Sequence, residues 1–285
     1  MELWLIYRNY YENNDNIVPQ SMCVAAEKLG IKCKIFFEDY FSLIIVNNEL
    51  QLYYNGKKID KLPNVVFFRC YNFDVMDFFQ RRNVLLVNTM RGMKLARNKY
   101  ETHKIANSIK ILQPKTIKAF NCEYDFIKQQ LGLPFVLKDN NGQKGENVYL
   151  VCNEEQFLVS KSKCNDFICQ EYIAESKGRD IRLYVVGERV VDAVERVAQN
   201  DDFRSNMSQG ATSHKISVPS NIKSTAVELV KSMGLSVCSV DFMLSGNKYY
   251  MNEVNGNASF VAFLKLGYDM PNIIMEFISK KEFNQ

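Results

Sequence analysis

The chain has 285 residues, 47% of them hydrophobic and 24% charged, with a net charge of +4. That length allows two domains, and the composition supports a sizeable buried core. The mild charge, without a long basic run, argues against a nucleic-acid partner, and no apolar stretch approaches a membrane span.

Leu3 to Tyr7 reads as an apolar strand, Pro19 to Leu29 as a helix ended by Gly30, and Lys32 to Phe37 as a second strand. A strand–helix–strand opening is the signature of a parallel α/β sheet. Glu49 to Tyr54 and Lys57 to Ile59 flank Asn55-Gly56, a strong hairpin signal. Val65 to Phe68 is a buried strand, Asp74 to Arg82 a short helix and Val84 to Val87 another strand, so a small α/β unit closes near residue 95. Helical patterning covers Met90 to Asn107 and is broken at Gln113-Pro114. Glu123 to Leu131 is a helix stopped by Gly132. Strands Phe135 to Lys138 and Val148 to Val151 flank the loop Asn140 to Asn147. Asn153 to Ser160 is helical and Phe167 to Tyr172 is a strand. The last third holds strands Ile181 to Val186, Arg189 to Glu195, Cys238 to Leu244 and Lys248 to Val254, with helices Ile222 to Met233 and Pro271 to Ser279.

Eight cysteines without a C-x-x-C pair, and only two histidines, argue against zinc and for reduced thiols in a cytoplasmic protein. The N-terminus lacks the features of a secretory signal. His103, beside Lys99 and Lys104, reads as structural, and His214 has no assigned role. A nucleophile constellation such as G-x-S-x-G is absent.

The final hairpin carries the clearest chemistry. Residues two apart on a strand share a face, so Glu253 and Asn255 project together, with Asp241 opposite on the neighbouring strand. Three hard oxygen ligands on one wall suit a Mg²⁺ ion carrying nucleotide phosphates. A solvated strand end with scattered polar residues fits that spacing equally well. The loop Asn140 to Asn147, with Lys138 before it, can lie over phosphates, although an ordinary hairpin uses the same residues. The run Gln170-Glu171-Tyr172-Ile173 can offer backbone groups to an adenine edge, or simply leave the core. Asp180 can accept from a ribose, and Arg182, Arg196 and Arg204 can meet anions, yet each arginine singly is more often a surface ion pair.

Taken in order, Gln170-Glu171-Tyr172-Ile173, Asp180-Ile181-Arg182, Val185-Val186-Gly187, Glu195-Arg196, Asp202-Phe203-Arg204-Ser205-Asn206, Val240-Asp241 and Glu253-Val254-Asn255 resemble the ATP-grasp fold, and specifically the RimK-like carboxylate–amine ligases. Lys99 and Lys138 match that family's two nucleotide-contacting lysines, and the resemblance runs from about residue 95 to the C-terminus. It implies an α/β (α+β) fold: a small N-terminal parallel α/β domain over residues 1–95, then an ATP-grasp fold of two α+β subdomains, 96–173 and 174–285, clasping the nucleotide. It implies ATP at Lys99, Lys138, Gln170, Glu171, Tyr172, Ile173, Asp180 and Arg182. Arg196, Arg204 and Asn206 are implied as catalytic residues, the last two at the reacting phosphate. Asp241, Glu253 and Asn255 are implied to hold Mg²⁺ or Mn²⁺, two ions bridged by Glu253. The implied reaction joins a carboxylate to an amine through an acyl phosphate, adding glutamate or another amino acid to a peptide, protein tail or small metabolite. A homo-oligomer is within the family's habits, and neither nucleic acid nor membrane is expected as a partner. The alternative is a catalytically silent nucleotide-binding module. Two departures bear on substrate choice: the flap Asn141 to Glu146 carries few glycines, and Gly256-Asn257-Ala258-Ser259-Phe260-Val261 after Asn255 is larger and more apolar than usual.

Overall fold

The structure is a computed structural model and describes residues 1–9, 17–118, 123–142, 145–199, 203–204 and 211–280. The chain divides into two compact units: residues 1–93, 234–237 and 259–285, and residues 94–233 and 238–258.

In the first unit, β1 (Glu2–Tyr7), α1 (Ile17–Lys28) and β2 (Lys32–Phe37) form the expected parallel opening. They are followed by β3 (Phe41–Val46), β4 (Glu49–Tyr54), β5 (Lys57–Lys58), β6 (Val65–Arg69), α2 (Phe73–Gln80), β7 (Leu85–Leu86) and α3 (Met90–Arg97). The parallel sheet runs β2-β1-β6-β7. Its central strands are continuous buried runs, Leu3 to Tyr7 and Val65 to Phe68, because helices cover both faces of such a sheet. β3 was not expected. It pairs with β4 through Asn47 and Asn48, both at positive φ, the conformation that a two-residue hairpin turn demands. The expected helix from Met90 to Asn107 is two helices. Asn98 breaks it, in extended backbone, and its side chain accepts from Glu101 N to cap the second.

The second unit continues with α4 (Lys99–Ser108), β8 (Thr116–Lys118), α5 (Tyr124–Leu131), β9 (Phe135–Asp139), β10 (Val148–Val151), α6 (Glu154–Ser162) and β11 (Phe167–Glu171). These give an antiparallel sheet in the order β10-β9-β11-β8. Phe135, Leu137, Phe167 and Cys169 face a core with Ile127 of α5 and Phe157 of α6. Period-2 alternation turns Val136, Lys138, Ile168 and Gln170 to the opposite face. Then come β12 (Arg179–Val186), β13 (Arg189–Val197), β14 (Thr212–Lys215), α7 (Ser220–Met233), β15 (Val237–Ser245) and β16 (Lys248–Asn255), in a sheet ordered β14-β13-β12-β15-β16. α7 packs against β12 and β13 through a stripe of Ala226, Leu229, Val230 and Met233. That leaves the other face of the sheet for polar residues.

The short helix α8 (Val261–Lys265) and α9 (Met270–Lys280) return to the first unit, where α9 packs on α1. The tripartite division expected from sequence, with 174–285 as one subdomain, differs at this point. Ile274, Met275 and Ile278 of α9 are buried within the first unit. β8, β14 and α8 were also not expected. They are three to five residues long and too short to display a period.

Candidate active site

The second unit holds a cleft lined by both of its sheets, the concave kind of surface at which small molecules bind. Lys99, Lys138, Gln170, Glu171, Tyr172, Ile173, Asp180, Arg204 and Glu253 line it, as the sequence reading grouped them. Asn206 lies outside the described residues, as do Gln143 and Lys144 of the flap.

Lys138 ends a buried strand and donates from Nζ to Asn252 Oδ1 at 3.0 Å. Burial, reinforced by neighbouring Lys99, pushes its pKa down to about 7. Lys99 opens α4, held there by its backbone N–H to Asn140 O at 2.9 Å. Burial lowers its pKa as well. Lys99 Nζ donates to Gly142 O at 2.5 Å, and Arg204 Nη1 donates to Gly145 O at 2.9 Å. The flap carbonyls thus lie against the cations intended for phosphate. Gly145 sits at φ +75, and a Cβ on Gly142 would come within 3.1 Å of both Asp139 Cβ and Glu146 O. The two glycines present are therefore at the positions that require them.

On the opposite wall, Asp241 pairs with Glu253 and Ser239 with Asn255, the register the spacing predicted. The register shifts just after Asp241, where Phe242 pairs with Met251, leaving Asn252 as an extra residue. Such a bulge re-aims side chains, and both Asn252 and Glu253 line the cleft. Asn255 Nδ2 lies 3.2 Å from Asp241 Oδ2 and 3.1 Å from Glu253 Oε1. The three expected metal ligands therefore do meet.

Three charged residues differ from expectation in what they face. Arg182, expected at an anion, makes a two-point contact with Asp241 through Nε at 2.8 Å and Nη2 at 2.6 Å. Arg196, expected as catalytic, is 3% exposed and binds Asp180 through Nε at 2.6 Å and Asp241 through Nη2 at 2.9 Å. Asp180 borders the cleft with its carboxylate committed to Arg196. The physical reason is strand order. β13, β12 and β15 are lateral neighbours, so side chains far apart in sequence interleave as alternating charges on one face. Burial would raise the Asp241 pKa, but the two guanidiniums override it and hold the carboxyl at about 2. Two arginines and two aspartates cancel, and Glu253, in the same hairpin as Asp241, lines the cleft.

Met243, Val136, Phe203, Arg179 and Asn252 also line the cleft and were given no role from sequence. Phe203 and Tyr172 meet edge to face with centroids 6.5 Å apart, an aromatic pair that neither segment announces alone. His103 is buried, with its ring between Gln113 and Gln170. His214 pairs with Glu195 Oε2 at 2.8 Å on the edge strand β14. Among the described residues no group of three or more His, Cys, Asp or Glu could hold a metal. No described helix is long and apolar enough to cross a membrane.

The sequence profile of the RimK-like ATP-grasp domain matches residues 96–278. A probable alpha-L-glutamate ligase of Rhodopirellula baltica (strain DSM 10527 / NCIMB 13988 / SH1) is 30% identical over 244 residues, 82% of this chain and 60% of that protein. The chain thus spans about three fifths of that relative's length. A probable alpha-L-glutamate ligase of Vibrio atlanticus (strain LGP32) is 28% identical over 283 residues, 94% of this chain and 93% of that one. Among solved structures, a RiPP-associated ATP-grasp ligase of Chryseobacterium gregarium, in complex with ADP and a leader and core peptide, superposes with a TM-score of 0.75. It covers 99% of this chain and 97% of its own at 18% identity, a likeness of fold.

Proposed function

Because the chain belongs to the RimK-like family of ATP-grasp ligases, we propose that it joins a carboxylate to the amine of an amino acid, in the cytoplasm, at the cleft of its second unit. One observation carries this reading. Two buried lysines and the carboxylate of Glu253 converge on one cleft. Phosphate needs cations, a phosphate-bound metal needs a carboxylate, and both face the same space.

The chain's own residues divide the work. Lys99 and Lys138 hold the phosphates, with Arg204 at the phosphoryl group that moves, aided by Asn206. Glu171, Tyr172 and Ile173 border the base. Arg182, Arg196 and Asp180 act as positioning residues, holding Asp241 and the sheet face rigid rather than touching substrate. Glu253 and Asn255, with Asp241 sharing through its remaining lone pairs, would hold Mg²⁺ as two ions. Hard oxygens beside phosphate and water are the donor set Mg²⁺ takes. When bound, Mg²⁺ neutralises charge on the phosphate oxygens. In the first step a carboxylate oxygen attacks the γ-phosphorus, and the bond to ADP breaks, giving an acyl phosphate. In the second an amine attacks the carbonyl carbon, inorganic phosphate leaves, and a proton is lost. The flap carbonyls at Lys99 and Arg204 place the loop where it can exclude water from the acyl phosphate.

Glutamate is the first amine to test, given the names of the relatives, and a peptide or protein tail the first carboxylate. The deciding experiment incubates the protein with ATP, Mg²⁺ and pools of amino acids, carboxylates and peptides, and follows ADP release and product mass. ADP formed only with a particular pair, and a product one water lighter than that pair, is expected. ATP binding without turnover across all pools, peptides included, would favour a silent nucleotide-binding module.

A further inference from the structure

Behind the cleft lies a buried hydrogen-bond chain that the proposed chemistry does not use. It starts at a group of fixed polarity, the backbone carbonyl of His103, which can only accept. Gln113 Nε2 donates to that carbonyl at 3.1 Å. This turns Gln113 Oε1 toward His103 Nδ1, 2.7 Å away. An amide oxygen cannot donate, so Nδ1 carries the proton. Burial, with Lys138 nearby, pushes the imidazole pKa down to about 3, and the ring is neutral. Its Nε2 is therefore an acceptor, and the atom of Gln170 facing it at 2.7 Å must be the amide nitrogen Nε2. The same nitrogen lies 2.7 Å from Thr116 Oγ1, directly across the β8–β11 pairing. Both amide hydrogens are then used. Gln170 lines the cleft, and no described residue donates to its Oε1. The amide can present only its oxygen to a ligand there.

We infer that His103 and Gln113 are positioning residues for the nucleobase: they stop the Gln170 amide, which borders the base in the nucleotide reading, from turning over, and so hold its oxygen toward a 6-aminopurine and against a 6-oxopurine. The inference rests on the nucleotide reading of the cleft. A glutamine free to rotate would donate to one base as readily as it accepts from the other. A locked acceptor rewards the amino group and leaves two oxygens facing each other when a carbonyl enters.

The test is competition of unlabelled ATP, ITP and inorganic tripolyphosphate against trinitrophenyl-ATP on the full chain with Mg²⁺. The wild-type protein is expected to prefer ATP over ITP by about tenfold or more. In Gln113→Leu and His103→Leu the ratio should fall to about threefold or less. Tripolyphosphate, which has no base, should compete unchanged and reports that the phosphate site is still folded. Gln113 is only half-buried, so Gln113→Leu decides the matter if His103→Leu does not fold. A wild-type ratio retained in Gln113→Leu with tripolyphosphate competition intact would overturn the relay, as would a wild-type protein that binds ATP and ITP alike. If neither ATP nor tripolyphosphate competes, the nucleotide reading falls and the inference falls with it.

Discussion

Asp241 and Glu253 face each other in one hairpin, yet they answer to substitution differently. Asp241 is fully buried between two guanidiniums. Asp241→Asn leaves Arg182 without its carboxylate and Arg196 with Asp180 alone, and should cost about 3–5 kcal/mol, read as a drop in the urea midpoint. Glu253 lines the cleft, and Glu253→Ala should abolish ATP turnover while leaving the melting temperature within a few degrees. A folded Glu253→Ala protein that still turns over ATP would remove the metal role from this residue. Lys138 predicts a pH effect. With its pKa near 7 the folded protein gives up a proton that the unfolded chain keeps to about pH 10. Stability of the nucleotide-free protein therefore rises between pH 7 and pH 10, since the unfolded state binds more protons there. Phosphate favours the ammonium form, so ATP binding at pH 8 takes up a proton and weakens as pH rises further. Calorimetry in two buffers of different ionisation enthalpy measures that uptake, and a buffer-independent enthalpy would count against it. The meeting of Asp241, Glu253 and Asn255 was legible from period-2 spacing. The commitment of Arg182 and Arg196 to aspartates was not, because arginine chemistry fits an anion of either origin.

At the scale of elements, the position of Lys99 depends on where α4 begins. Asn98 caps that helix by accepting from Glu101 N at 3.0 Å, and Asn140 accepts from Tyr100 N at 2.9 Å. Asn98→Ala should cost about 1 kcal/mol in denaturant unfolding. It should also weaken ATP binding, because the first turn carries Lys99. An unchanged midpoint would show that Asn140 alone holds the helix start. The hairpin of β15 and β16 was legible because Ser245-Gly246-Asn247 marks its turn between two apolar runs. Its bulge was not. One unpaired residue leaves no mark in a polar stretch such as Asn252-Glu253, although it is what brings both side chains to the cleft.

At the scale of the molecule, the C-terminal helix belongs to the first unit. α9 buries Ile274, Met275 and Ile278, and α1 buries Met22, Ala25 and Ala26. Ending the chain before Met270 removes four large apolar side chains, Met270, Ile274, Met275 and Ile278, from that core, each worth about 1.5–3 kcal/mol. The truncated protein should lose cooperative unfolding of its first unit, seen as a lost or broadened transition in calorimetry. A full-length profile from the truncated chain would mean that α9 adds nothing to that core.

The amino-acid sequence by itself determined the order of the longer elements, the pairing of the last hairpin, and the motif series that marks the family. These are local periods and turn residues, and a strand's period is set by its own backbone. Tertiary structure alone decided which charges are already neutralised, which residue line splits the domains, and how residues 103, 113, 116 and 170 join in one relay. Each of those depends on lateral neighbours. A sheet ordered β14-β13-β12-β15-β16 brings Arg196 to Asp241, and no one-dimensional pattern records which strand lies beside which.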